Sequence, residues 1–223
     1  MLIAVTLFAC AAPVAAQATM TITVEETVYE VGDGAAQRYM ADSFGNLAPS
    51  SAPIASFGPF HMLSPTRAEL IGSIESDTPA LFAKMLRAFP GLSRIDMVDC
   101  PGTGDDEANL TLARMVRKAG IATHVPDGGS VRSGGVELFL AGVKRSAAPT
   151  AEFAVHSWMD EDGLEAEDYP ADDPAHRDYI DFYREMGMAD HVARSFYAMT
   201  NSAPHDAALY LTRQDMSRYV SLD

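Results

Sequence analysis

Two cysteines, Cys10 and Cys100, are all the chain has, which excludes a disulfide framework and a structural zinc site built from four thiolates. Basic residues are scarce as well: 16 Lys and Arg stand against 31 Asp and Glu, a net charge of -15. Such a field repels phosphate backbones and anionic lipid surfaces, so no nucleic-acid partner is expected. Glycine (16) and proline (13) are too few among 223 residues for a collagen-like or low-complexity chain. An apolar content of 48% likewise rules out wholesale disorder. Beyond the first 18 residues there is no uncharged run of the ~20 apolar residues that a membrane span needs. What remains is one medium-sized domain with enough chain for a proper core.

The N-terminal residues bear on the compartment. Leu2 to Val14 is uncharged and apolar apart from Thr6 and Pro13, and Ala15-Ala16-Gln17-Ala18 ends in an A-x-A pattern. This reads as a secretory signal peptide over residues 1–18, cut to leave Thr19 as the mature N-terminus, with a periplasmic or secreted product. No basic residue precedes the run, a departure from the usual leader. A second reading makes Leu7-Phe8-Ala9-Cys10 a lipoprotein box with Cys10 as the lipidated residue, although Phe8 fits that box poorly.

Residues 19–60 form an N-terminal extension. A strand is expected over Thr21 to Val31, followed by irregular chain rich in Ser, Pro, Ala and Gly up to Pro59. From residue 61 to 223 the pattern is regular. A strand is expected from Ala68 to Ile74, and a helix opens at Asp77-Thr78-Pro79, carries Leu81, Phe82, Met85, Leu86 and Phe89, and stops at Pro90-Gly91. Arg94 to Val98 reads as a buried strand. Asp105 to Ala119 reads as a helix with acidic residues first and basic residues last, the order its dipole favours. Ile121 to Val125 is the next strand. This alternation predicts an α/β fold with a largely parallel sheet.

Gly128 to Gly142 holds the chemistry. Leu138, Phe139 and Ala141 suit a short buried helix ended by Gly142, with Ser133 where the helix begins. A serine in that place either caps the helix or acts as a nucleophile whose oxyanion meets the free amides of the next turn. A nucleophilic serine needs a base, and the strand Glu152 to Ser157 carries His156. By itself His156 reads as a core histidine bonded to a backbone carbonyl in preference to a base.

The ordered set Asp99-Cys100-Pro101-Gly102-Thr103, a helix, Gly120 to Thr123, Ser133-Gly134-Gly135 with Ala141-Gly142, Lys144-Arg145 and Val155-His156 resembles the proteolytic subunit of the Clp protease within the Clp/crotonase superfamily. The resemblance spans roughly residues 66 to 223. It implies a ClpP/crotonase-like spiral of ββα units, with Ser133 as nucleophile, His156 as general base, and the amides of Gly134 and Thr103 as the oxyanion hole. Thr103 stands where the family has a glycine. The family's third member is an Asp near a closing strand, matched here by Tyr210-Leu211-Thr212, with Thr212 and Asp215 spaced as a capping box. Ala208 occupies the best-matching position, so Asp206 is the candidate, with Asp172 and Asp173 as fallbacks.

Asp160 to Asp173 holds eight carboxylates and no base, but lacks the spacing of a calcium-binding loop. It reads as a solvated acidic loop bordering the cleft, which disfavours acidic substrates. No metal site and no cofactor are expected. The aromatic positions Tyr179, Phe182, Tyr183, Phe196 and Tyr197 mark helix faces suited to a core or a subunit contact, so a homo-oligomer stays open. Three function classes follow: an exported serine hydrolase, peptidase-like and independent of ATP, acting on a peptide or small ester; a noncatalytic envelope protein keeping the fold; and a crotonase-like acyl-CoA enzyme. Export disfavours the third, because CoA esters are cytoplasmic, and the Ser and His pair disfavours the second.

Overall fold

A computed structural model describes residues 48–223. The leader, Cys10, Thr19 and the strand expected from Thr21 lie outside the described residues.

Nine strands form one mixed sheet. The hairpin β1 (Ala55–Phe57) and β2 (Phe60–Ser64) pairs antiparallel onto β3 (Arg67–Ile71). Thus residues 55–60, assigned by sequence to the extension, belong to the sheet, and the Phe60 ring is fully buried against Phe82. β3 runs parallel to β4 (Arg94–Cys100), the hub of the sheet. β4 forks: Arg94 to Asp96 pairs with β5 (Ala122–Val125), while Asp99 and Cys100 pair with β6 (Ser130–Arg132). β5 continues to β7 (Arg145–Ala147), and β6 to β8 (Glu152–Val155), all parallel. β9 (Leu209–Thr212) closes that branch antiparallel to β8. The expected α/β fold with a largely parallel sheet is the one observed.

The strand expected to reach Ile74 stops at Ile71, because Gly72 turns the chain at φ +121°. Ile74 instead makes a single parallel bridge to Thr103. Helix α1 (Thr78–Ala88) buries Phe82 and Met85 and ends before Pro90. In α2 (Asp106–Lys118) the Asp105 side chain accepts the Ala108 amide at 2.9 Å, satisfying one of the orphan donors of the first turn. α3 (Gly134–Leu140) begins directly after Ser133, as expected, and is wholly buried. α4 (Arg177–Glu185) and α5 (Asp190–Thr200) pack on each other through Tyr183 and Phe196, whose rings meet edge-on at 4.9 Å. The aromatic stripes are therefore core. Thr212 and Asp215 form the expected capping box at α6 (Arg213–Met216).

The acidic segment after Asp160 spends its carboxylates locally. Asp160 accepts the amides of Asp162 and Leu164, Glu165 and Asp168 cap one 3₁₀ turn, and Asp173 caps another by accepting from Ala175. The Tyr169 hydroxyl donates to Asp160 and holds its carboxyl below the usual range. No helix among the described residues is long and apolar enough to cross a membrane.

Candidate active site

Ser133 and His156 leave the ends of adjacent parallel strands. The register Arg132↔Ala154 puts Ser133 and His156 just beyond β6 and β8 on the same edge of the sheet, and the Ser133 amide donates to Ala154 O at 2.8 Å. Both residues are buried, at 1% and 3% exposure.

Ser133 is the one non-glycine residue with positive φ among the described residues (φ 48°, ψ -131°). A serine is held there only when its surroundings over-determine it. Its amide and carbonyl are both tied, the latter by Val136 N at 2.9 Å. Its side chain makes no cap bond to α3, and Oγ is buried without a hydrogen-bond partner, His156 included. The capping role is thereby excluded, since the hydroxyl satisfies no helix amide. The strain turns the side chain toward the Cys100 to Thr103 loop, where Gly102 (φ +136°) lies so close that a Cβ on it would stand 2.9 Å from Ser133 Cβ and 3.3 Å from Oγ.

Thr103 and Gly134 meet across this gap. A Cβ on Gly134 would collide with the Thr103 methyl and approach Asn109 Nδ2 to 2.9 Å. The Thr103 hydroxyl faces its own loop, 3.0 Å from Ile74 O and 2.8 Å from Asp105 O, and accepts Asp105 N at 3.0 Å. Asn109 donates to Gly134 O at 2.7 Å. Thus Thr103 braces the loop against the α3 turn. Among the described residues neither the Thr103 nor the Gly134 amide donates a hydrogen bond. Two unspent N–H donors beside a buried hydroxyl are what a developing oxyanion requires.

Beneath the site, Arg132 pairs with Asp99 at 3.1 Å, both buried. Cys100 lies under α3 near Gly135, where a Cβ would come within 2.7 Å of Sγ, and burial pushes its thiol up to about 12. It is therefore a packing residue and no alternative nucleophile at neutral pH.

His156 Nδ1 lies 2.9 Å from Ser157 O. The carboxylate expected to orient this ring does not reach it: Asp206 is exposed and enters no hydrogen bond or ion pair among the described residues. The cause is local. Glu165 accepts the amide of His205 at 2.9 Å, which brings the His205 ring inward against His156, 5.0 Å between centroids at 85°, and leaves Asp206 on the outer side of the turn. Asp172 is exposed and Asp173 is spent on its cap. Extending the register Val155↔Leu209 by one residue sets Ala208 opposite His156. His205 was not singled out by sequence reasoning. Its position depends on the antiparallel return of β9, which no local pattern announces.

A cavity of about 550 Å³ opens beside Trp158, between the start of α2 and α4, with Asp106, Glu107, Asp160 and Asp178 around it and Tyr179 on its wall. Its lining includes Asp106 and Glu107 at the start of α2, Arg114 on the same helix, and Trp158, two residues after His156. Among the described residues no three His, Cys, Asp or Glu side chains converge to hold a metal ion.

No protein-family model matches the sequence, and no curated protein matches it. Among solved structures the chain is similar to a ClpP1 variant from Listeria monocytogenes, at 19% identity over 70% of this chain and 87% of that one, TM-score 0.48. It is also similar to the 1510-N membrane protease specific for a stomatin homolog from Pyrococcus horikoshii, at 16% identity over 71% and 70%, TM-score 0.45. The catalytic domain of the ClpP protease from Plasmodium falciparum is a third, at 12% identity over 68% and 79%, TM-score 0.46.

Proposed function

We propose that this chain is a serine hydrolase of the Clp/crotonase type, peptidase-like and independent of ATP, acting outside the cytoplasm on a peptide or small ester. One observation carries the reading: Ser133 is held in a strained conformation that leaves its hydroxyl buried and unbonded, between two unspent amides and beside the strand that ends in His156. Strain of this kind and an unsatisfied buried hydroxyl both cost stability, and a purely structural serine would not retain them.

In the reaction, Ser133 Oγ attacks the substrate carbonyl carbon while its proton passes to Nε2 of His156. The carbonyl oxygen takes the negative charge, and the Thr103 and Gly134 amides donate to it. His156 then gives the proton to the departing amine or alcohol, leaving an ester on Ser133. Water, deprotonated by His156, attacks that ester and releases the acid. The carboxylates around the neighbouring cavity repel acidic side chains and leave neutral or basic ones favoured. The leader-like residues 1–18 support the location, where an ATP-driven unfoldase has no fuel, so substrates would arrive short or already unfolded.

The absence of a Ser133–His156 hydrogen bond favours a second reading, a noncatalytic protein that retains the fold. Hydroxyl and base are often poorly aligned before substrate binds. Labelling with a fluorophosphonate probe decides between the two. Adduct mapped to Ser133, and absent from Ser133→Ala, supports the hydrolase; a protein that stays unlabelled overturns it.

A further inference from the structure

We propose that His205, together with the carbonyl of Ser157, positions His156 as the base, in the part a carboxylate plays in a serine triad. The inference rests on the Ser133–His156 reading above.

Two imidazole rings share one acceptor. Nδ1 of His156 lies 2.9 Å and Nδ1 of His205 lies 3.1 Å from Ser157 O. A carbonyl oxygen only accepts, and its two lone pairs accommodate two donors, so each ring presents an Nδ1–H to it. For a neutral His156 this assigns the proton to Nδ1 and leaves Nε2 as the basic nitrogen, the tautomer that can take the proton of Ser133. His205 packs edge-on against His156 and so closes off rotation of that ring.

The rest of the segment is built to hold this arrangement. Ser157 N donates to Ala203 O at 2.8 Å, and the Ser157 hydroxyl is 3.1 Å from Trp158 O and accepts the Ala166 amide at 3.2 Å, so the shared carbonyl cannot turn away. Glu165 accepts the His205 backbone amide and so anchors that residue. A neutral carbonyl and a second imidazole thus stand in for the absent Asp. His205 is a positioning residue, since it acts through His156.

The test is read on the full chain labelled with ¹⁵N-histidine, with His156 assigned by the loss of its signals in His156→Asn. Long-range ¹H–¹⁵N spectra report the ring tautomer, and hydrolysis of a peptide ester reports kcat and KM separately. In the wild type His156 should be the Nδ1–H tautomer. His205→Ala should mix the tautomers and lower kcat by roughly 10-fold or more with KM little changed, a loss in the direction known for triads whose histidine is mis-oriented. His205→Asn, whose side-chain N–H can stand where Nδ1–H stood, should restore the tautomer and most of kcat. If His205→Ala does not fold, His205→Phe keeps the ring contact without the donor and should show the same loss. A His156 tautomer unchanged in these variants, or an Asn variant no better than Ala, overturns the inference. A tautomer change in a protein that neither labels nor hydrolyses anything supports the positioning of His156 and overturns the hydrolase.

Discussion

Ser133 and Gly102 are matched to one another: the serine adopts a backbone conformation that side chains avoid, and the glycine supplies the space for the side chain so displaced, at φ +136°. An added methyl at Gly102 would strain the backbone and meet Ser133 Cβ at 2.9 Å. Gly102→Ala should therefore cost about 1–3 kcal/mol of stability and remove most fluorophosphonate labelling, because the hydroxyl and the Thr103 amide shift together. Denaturant unfolding and labelling rate, measured side by side, check this; a variant with wild-type values of both refutes it.

The buried Arg132–Asp99 pair sits one residue before the strained serine. Arg132→Ala strands a carboxylate in the core and should cost about 3–5 kcal/mol, the range for breaking a buried pair. Arg132→Met with Asp99→Leu removes both charges and should recover much of that loss. Thermal unfolding of the two variants beside the wild type decides, and a double variant no more stable than the single one would show that the pair itself stabilises.

Cys100 is expected to be inert. With its thiol pushed up to about 12, no appreciable thiolate exists at pH 8. Iodoacetamide should leave the peptide containing Cys100 unmodified in the native protein and modify it after denaturation. Rapid native modification would mean that α3 opens away from β4.

How much of this was legible in the sequence follows from how local each signal is. The charge order of α2 and the Thr212–Asp215 box are written within a few residues, and both stand as read, while Asp105, read as part of the first turn, is the cap. The β4 run was legible from Ile95, Met97 and Val98, although Asp96, paired with Arg67 and Arg94, and Asp99, paired with Arg132, interrupt it. β6 was not legible: three residues between a glycine pair and a helix start give no periodicity. Ser133 and His156 were singled out by what the family resemblance implies, and they leave the same edge of the sheet because β6 and β8 are parallel neighbours. The third position failed because a turn, anchored by the distant Glu165, decides which of two consecutive side chains faces inward.

His124 provides a pH-dependent contribution to stability. Burial, with Arg94 next, holds it below the ordinary 6.5, and its Nδ1 lies 2.8 Å from Ser146 Oγ. The unfolded chain takes up the proton near 6.5 and the folded chain only at lower pH. Between those values the unfolded state binds more protons, so stability falls as pH drops through the window. The melting temperature of His124→Asn should fall less over that window than the wild type's; superimposable profiles would refute the assignment.

The final prediction concerns Asp206 and Ala208. Asp206 and Ala208 are both exposed, but the register of β8 and β9, carried one residue past Val155↔Leu209, sets Ala208 opposite His156. A carboxylate at 208 starts from that position, whereas Asp206 lies in the turn before it. Asp206→Asn should accordingly keep kcat within about twofold of wild type, where loss of a true triad carboxylate costs on the order of 10⁴. Ala208→Asp should matter little in the wild type, in which Ser157 O and His205 already hold the ring, and should rescue His205→Ala by giving His156 Nδ1–H a new acceptor. Esterase kinetics on the four proteins distinguish the positions. A large loss in Asp206→Asn would mean that the turn inverts when substrate binds, bringing Asp206 inward in place of His205.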